Sequence, residues 1–329
     1  QETDQLRISL GTLSEEDEKT IVLISHKLQE IREFTEKVFV MKNGKMVAEE
    51  LSTKDVSDEN LIELMMGNIQ KSIIDKSNTA GDTKLSVKSL EYVDKVNNFK
   101  ILDNINLEIK AGEIIGIAGV SGNGQVELAN IISGIEVDYS GKILINNKDV
   151  SRRGVRSRKK LNLSYIPENR LGVGLAPGVS VLDNSIVRDY FKTRLGPHLS
   201  RSKTENYLES LINKFSIKAP NSKAEISTLS GGNMQKLLMG RELISNPEVI
   251  IASQPTRGLD VNAVEAIHNL LVEQRDKGSA ILMISEDLDE LFKLSNRIHV
   301  MFEGKIVKSF NIDDADINNV GLAMAGIVE

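Results

Sequence analysis

The chain of 329 residues contains no cysteine and no tryptophan. Without thiols it can form no disulfide framework and no cysteine-ligated zinc site. Aromatic residues make up only 4% of the sequence, too few for the stacking platforms that hold single-stranded nucleic acid. No apolar run approaches the ~18 residues of a membrane-spanning helix. An excess of basic residues is missing as well. The formal net charge is −6, whereas a dedicated nucleic-acid binder carries a basic domain. The opening residues, Gln1 to Asp4, bring neither an initiator methionine nor the basic-then-apolar order of a secretory leader, so the N-terminus reads as cut rather than targeted. What remains, 40% hydrophobic and 27% charged residues, is the composition of a globular protein long enough for about two domains.

A further absence is local. Gly119-Val120-Ser121-Gly122-Asn123-Gly124-Gln125-Val126 follows the apolar run Ile114 to Ala118 and opens a helix-like stretch at Gln125. This is the layout of a strand, a Gly-rich turn and a helix N-terminus, as in the Gly-x-x-x-x-Gly-Lys-Ser/Thr phosphate loop. Gln125 stands where that loop has its lysine, and Val126 where it has its magnesium-binding hydroxyl. The backbone cradle is kept and the charge is not.

An internal repeat sets the organisation. Thr20 to Leu28 matches Ala280 to Leu288 in pattern, and Lys37 to Met41 with Gly44-Lys45 recurs as Arg297 to Met301 with Gly304-Lys305, 260 positions later. Each copy reads as a strand, a short helix, a strand, a Gly turn, a strand and a closing helix. Met65-Met66-Gly67 and Met324-Ala325-Gly326 end those helices. The second copy closes a complete unit over 84–329. The first, 1–67, closes a unit whose beginning lies outside this chain, and the polar stretch 68–83 reads as a linker. Within the complete unit, Leu85 to Ile109 reads as an antiparallel strand pair. Tyr165-Ile166-Pro167-Glu168 ends a strand, and Val179 to Tyr190 and Lys203 to Phe215 read as amphipathic helices parted by Gly196-Pro197. Val249 to Ala252 reads as a buried strand, followed by a long helix from Val261 to about Lys277. Alternating strands and helices give an α/β class with a mainly parallel, helix-covered sheet. The basic run Arg152-Arg153, Arg156, Arg158-Lys159-Lys160 reads as a solvated face.

Leu229-Ser230-Gly231-Gly232-Asn233-Met234-Gln235-Lys236 puts a hydroxyl and bare backbone N–H groups at the start of a helix running to about Leu243, an arrangement that attracts phosphate oxygens. With the Gly turn upstream and Pro255-Thr256-Arg257-Gly258-Leu259-Asp260 downstream, the chain resembles the ATP-binding-cassette (ABC) ATPases. The signature of that family is Leu229 to Lys236, with Asn233 at the usual glutamine position. The resemblance implies a P-loop NTPase fold with a parallel sheet, an antiparallel β subdomain and a helical subdomain at about 176–245.

It also assigns positions. Val249 to Thr256 resembles the family's Walker B strand, where aspartate then glutamate organise magnesium and act as base. This chain has Ser253 and Gln254, which can neither ligate as anions nor accept a proton near neutral pH. The switch histidine that contacts the γ-phosphate is replaced by Glu286, whereas the first copy keeps a histidine there, His26. Glu168 occupies the Q-loop position, Asp260 the D-loop, and Tyr92 or Phe99 could stack on adenine or simply pack.

Taken together, the chain looks like the C-terminal part of a two-cassette ATPase subunit of a simple-sugar or nucleoside ABC importer. There Ser230, Gly231 and Gly232 would complete the ATP and Mg2+ site of the first cassette in trans. The turn with Gly119, Ser121, Gly122, Asn123, Gly124, Gln125 and Val126 would be a degenerate site without a metal. The resemblance implies ABC permease subunits as partners, an extracytoplasmic solute-binding protein indirectly, no nucleic acid, and a peripheral place on the cytoplasmic face of the cell membrane. The competing readings are a soluble ABC-type ATPase module acting on nucleic acid or the ribosome, and a structural module that binds no nucleotide.

Overall fold

The structure is a computed structural model describing residues 20–24, 28–42, 45–57, 60–61, 64, 81–94, 99–195, 198–324 and 326–327. The chain divides into two compact units, a small one made mainly of residues 1–73 and a large one made of residues 74–259 and 263–329.

In the small unit, helix α1 (Leu28–Phe34) precedes strands β1 (Lys37–Lys42) and β2 (Lys45–Ser52), which pair antiparallel. Ile31, Val38, Val40, Val56 and Leu61 form its core. The expected strand at Thr20 is not formed: residues 20–24 take no regular structure, and Val22 and Ile24 are exposed. The reason is pairing. The matching segment 280–285 has hydrogen-bonded neighbours on both sides, and an extended segment without a ladder leaves its backbone groups to water. Met65-Met66-Gly67 and most of the 68–83 stretch lie outside the described residues.

The large unit begins with β3 (Thr83–Asp94) and β4 (Phe99–Lys110), then β5 (Ile114–Ala118), α2 (Gln125–Ser133), β6 (Ser140–Ile145), β7 (Lys148–Asp149), α3 (Val155–Lys159) and β8 (Leu163–Ile166). A helical stretch follows: α4 (Val181–Ile186), the short pair β9 (Arg194–Leu195) and β10 (His198–Leu199), α5 (Arg201–Phe215) and α6 (Gly231–Leu243). The chain returns as β11 (Val249–Ser253), α7 (Val261–Asp276), β12 (Ala280–Ser285), α8 (Leu288–Leu294), β13 (Arg297–Phe302), β14 (Lys305–Asn311) and α9 (Ile317–Met324).

The central sheet has the order β14-β13-β5-β12-β11-β8 and is parallel except for β14. Its inner strands are apolar on both faces because both are covered. Ile114, Ala118, Ile250, Ala252, Ile281 and Met283 point into a core shared with α5 to α9. Their alternating neighbours Ile115, Ile117, Val249, Ile251, Leu282 and Ile284 point into a second core with α2 and the antiparallel sheet β4-β3-β6-β7. The repeat is visible in the two hairpins. Val40↔Ala48, Met41↔Met46 and Lys42↔Lys45 in β1–β2 have the same register as Val300↔Lys308, Met301↔Ile306 and Phe302↔Lys305 in β13–β14.

Two expectations are corrected here. The helix expected over Val179 to Tyr190 is cut to α4, capped by Ser180, whose hydroxyl accepts from the Asp183 N–H. Beyond it, side chains are taken by tertiary partners. Arg188 donates to the Leu163 carbonyl (2.6 Å) and pairs with Glu242, and Asp189 pairs with Lys159 (2.7 Å). The basic run is not simply a solvated face. Arg158 is fully buried and donates to the carbonyls of Ile131 and Ile132 (2.7 Å) at the C-terminus of α2, and also to Arg153 and Val150. Arg152 and Arg153 are exposed. Gly196-Pro197 lies outside the described residues.

Candidate functional site

Four strands of the central sheet end at one edge. Ala118 of β5 is in register with Ser285 of β12, Ile284 of β12 with Ser253 of β11, and Ala252 of β11 with Ile166 of β8. The Gly119–Val126 turn, Glu286, Ser253-Gln254 and Glu168 therefore lie side by side at the carboxyl ends of adjacent parallel strands. That is where open α/β sheets bind ligands.

The turn itself is tightly packed. A Cβ on Gly119 would meet Gln125 Nε2 at 2.5 Å and the Met301 carbonyl at 2.7 Å. Gly124 has φ +98, and a Cβ there would meet the Leu102 side chain at 2.7 Å and the Ile101 carbonyl at 3.0 Å. Only glycine satisfies that backbone and that space together. Asn123 fastens the turn to the β13–β14 corner. Its Oδ1 accepts from the Glu303 N–H (2.7 Å), its carbonyl accepts from the Gly304 N–H (3.1 Å), and its Nδ2 donates to the Val120 carbonyl (3.0 Å).

The Gln125 side chain is withdrawn into the turn. Gln125 is buried, and its Nε2 donates to the Val120 carbonyl at 2.9 Å. Val126 exposes its methyl groups. Ser253 is buried at the end of β11, and Gln254 turns the chain with φ 47 while its N–H donates to the Ile284 carbonyl (2.8 Å). Opposite the turn, Ser121 Oγ donates to the Glu286 carboxylate. No lysine, carboxylate pair or histidine faces the Gly turn from these positions.

The Ser230 turn is a separate element. Ser230 caps α6, a helix of 13 residues, and its Oγ accepts from the Asn233 backbone and side chain (2.9 Å for Nδ2). A chain of polar contacts ties this helix start to the other loops. Gln235 donates to the Pro255 carbonyl (2.7 Å) and accepts from Arg170 Nε (2.7 Å). Arg170 also donates to the Arg257 carbonyl (3.1 Å), and Arg257 pairs with Glu168. A Cβ on Gly231 would lie 3.3 Å from Arg170 Nη1. Burial lowers the Arg170 pKa from its ordinary value. Gly231 and Gly232 are half-buried, and Asp260 is exposed at the end of its turn. The Ser230 turn and the Gly119–Val126 turn share no hydrogen bond among the described residues. His26 lies outside the described residues.

Sequence reasoning missed a carboxylate behind this edge. Glu290 is buried and accepts from Thr256 Oγ1 (2.8 Å), Ser285 Oγ (2.7 Å) and His268 Nε2 (2.9 Å). It fixes the 254–260 turn to β12 and α7. Its only sequence signal is Asp287, whose carboxylate accepts from the Glu290 N–H and so marks the start of α8. Of the two candidate adenine-stacking rings, Tyr92 packs partly buried against the second core and its hydroxyl meets Glu136 (3.4 Å), whereas Phe99 is exposed.

Residues 102–257 match the family described as ABC transporter. The chain is 36% identical over 330 residues to the glucose import ATP-binding protein TsgD13 of Haloferax volcanii, covering 99% of this chain and 60% of that protein. It is 35% identical over 311 residues to the nucleoside import ATP-binding protein NupA of Lactococcus lactis subsp. cremoris, covering 94% of this chain and 61% of that protein. The chain thus spans about three fifths of the length of these relatives. A dimeric bacterial ABC transporter cassette superposes with a TM-score of 0.60 at 25% identity, over 69% of this chain and 98% of its own. The chain therefore contains an ABC transporter ATP-binding domain. Its fold is the ABC ATPase cassette, a P-loop NTPase fold with a parallel sheet and an antiparallel subdomain, and its relatives are ATP-binding proteins of sugar and nucleoside import.

The family binds ATP, typically with Mg2+. Around this Gly turn the donors do not suit that metal. Mg2+ asks for hard oxygen ligands, carboxylates above all. Val126 offers only hydrocarbon, Ser253 and Gln254 are uncharged, and the Glu286 carboxylate is engaged by Ser121. No helix among the described residues is long and apolar enough to cross a membrane.

Proposed function

We propose that the chain is the C-terminal part of a two-cassette ATP-binding subunit of a sugar or nucleoside importer. Its second cassette is the 84–329 unit, and residues 1–67 belong to the end of the first cassette. In this reading the second cassette lends Ser230, Gly231 and Gly232 to the ATP site of the first, where His26 serves as the switch histidine and Mg2+ is bound. Its own turn is a degenerate nucleotide site that performs no hydrolysis.

One observation carries the proposal. At the shared strand edge, the positions for lysine, hydroxyl, carboxylate pair and histidine hold Gln125, Val126, Ser253-Gln254 and Glu286, and Gln125 is folded onto the Val120 carbonyl. Each lost hydrogen bond to a charged phosphate is worth about 1.5–3 kcal/mol. Gln125 and Glu286 remove two such bonds, and Val126, Ser253 and Gln254 remove the metal ligands and the base, which together silence the site. The Ser230 turn, by contrast, keeps its cap and its free helix start.

ATP drives transport by favouring the closed pair of cassettes over the open one, since a ligand shifts an equilibrium only by its differential affinity. The closure is passed to permease subunits. The surface offered for this is the exposed set Val187, Tyr190, Phe191 and Leu199 on the helical stretch, with Lys159 Nζ 5.1 Å above the Phe191 ring. The subunit then sits peripherally on the cytoplasmic face of the membrane and meets the solute-binding protein only through the permease.

The test uses the intact two-cassette protein. Gly231→Asp puts a carboxylate into the helix start that faces the other cassette's nucleotide and abolishes ATPase activity. Gln125→Ala leaves it within about twofold, because that side chain bonds only its own loop. Loss of turnover in Gln125→Ala would show that the working site has been assigned to the wrong cassette.

A further inference from the structure

The Gly119–Val126 turn already holds one anion, supplied by the chain itself. Glu286 is the first residue after β12, and its carboxylate accepts from Ser121 Oγ. The two residues meet because β12 and β5 are paired up to Ser285↔Ala118. The segment carrying Glu286 is anchored on its far side: Asp287 caps α8, and Glu290, one turn on, is held by Thr256, His268 and Ser285.

The remainder of the turn leads into the start of α2. The first backbone bond inside α2 runs from the Leu128 N–H to the Gly124 carbonyl (2.9 Å). The N–H groups of the first turn therefore have no intrahelical acceptor and suit phosphate oxygens. Exposure orders the turn: Gly124 and Gln125 at the helix start are buried, while Ser121 and Gly122 are outermost. A phosphate chain seated on the helix start reaches Ser121 with its outer end.

We infer that Glu286 determines the ligand class of this turn. Its carboxylate takes the place of the outermost phosphate, so the turn accepts a nucleoside diphosphate without metal and rejects the triphosphate. This rests on the reading of residues 119–126 as a nucleotide-binding turn.

The argument is electrostatic. A diphosphate needs only the backbone N–H donors, whose bonds to an anion are the strong, charge-assisted kind. A triphosphate brings a further charged group to a hydroxyl that a carboxylate already occupies. Among the described residues no lysine is paired with Glu286 to offset the repulsion, and at close range near a protein surface like charges interact several-fold more strongly than in bulk water.

The test is displacement of a fluorescent ADP analogue from the full chain, in EDTA, by ADP and by ATP. The wild-type chain is displaced by ADP at a concentration at least about tenfold below that needed of ATP. Glu286→Gln keeps a hydrogen-bonding group and removes the charge. In that variant ATP gains at least about tenfold, ADP changes less than about threefold, and the preference disappears. Glu286 is exposed, so the variant folds, and its circular dichroism serves as the control. Equal displacement by the two nucleotides in the wild type, or an unchanged ratio in Glu286→Gln, overturns the inference and leaves the nucleotide-binding reading standing. Absence of any binding to either form overturns both.

Discussion

Glu290→Ala removes the buried carboxylate on which three elements converge. The side chain is 3% exposed, so water does not readily replace it. Three donors lose their acceptor: Thr256 Oγ1, Ser285 Oγ and His268 Nε2. A buried donor left unsatisfied costs about 1–3 kcal/mol. The two hydroxyls can rotate towards other acceptors, whereas the His268 ring is fixed in α7 and its Nδ1 already has no partner. The loss is therefore about 3–5 kcal/mol, the cost of the unsatisfied ring donor plus part of that of the two hydroxyls. Glu290→Gln keeps one acceptor but turns an amide N–H towards a former donor, and costs about 1–2 kcal/mol. Thr256→Val alone costs about 1 kcal/mol. Combined with Glu290→Ala it adds less than its separate cost, because both substitutions remove the same bond. Urea unfolding of the full chain, followed by circular dichroism, measures all four variants. A Glu290→Ala midpoint shift worth less than about 0.5 kcal/mol, or strict additivity with Thr256→Val, would refute the reasoning.

Two further perturbations test the scaffold around the site. Arg158→Met strips the C-terminal carbonyls of α2 of their buried donor and lowers stability by about 3–4 kcal/mol in the same assay. Arg158→Lys does not restore it, since an ammonium cannot reach the separate acceptors that the guanidinium fork serves. His299, pushed down to about 4 by burial and by Arg297, links stability to pH. Between pH ~6.5 and about 4 the unfolded chain binds the proton and the folded one does not. The contribution is thus complete above pH ~6.5 and is lost as pH falls towards about 4, up to about 3 kcal/mol in all. In His299→Gln the difference in unfolding free energy between pH 7 and pH 4.5 shrinks accordingly; an unchanged difference would assign the acid loss elsewhere.

What was legible in the sequence is what is local. The run Ile114 to Ala118 followed by glycines, the Ser230 cap before α6, and the apolar strand at Val249 each specify their structure within a few residues, and the structure forms them there. What was not legible depends on partners distant in sequence. Residues 20–24 share the apolar pattern of β12, but β12 is a strand because β5 and β11 flank it. Val187 to Tyr190 has helical periodicity, yet Arg188 and Asp189 are drawn to β8 and to Lys159. Arg158 reads as one charge in a basic run and is buried against the end of α2. At the candidate site, the identities of residues 125, 126, 253, 254 and 286 could be read directly. The fold-back of Gln125 and the Ser121–Glu286 bond could not, because each is a choice of rotamer within a packed environment. For Glu290 the Asp287 cap marks only the start of α8: a glutamate in an amphipathic helix reads as surface until the fold turns it inward.

The central claim is that this chain carries a phosphate-facing helix start for another cassette and a turn of its own that cannot turn over ATP. Phosphate release by the purified chain with Mg2+-ATP tests it directly, with the rate compared against the Gly231→Asp and Glu286→Gln variants prepared in parallel. The account predicts no multiple-turnover hydrolysis above background in any of the three. Sustained turnover by the wild-type chain, altered by a substitution at Glu286, would contradict it.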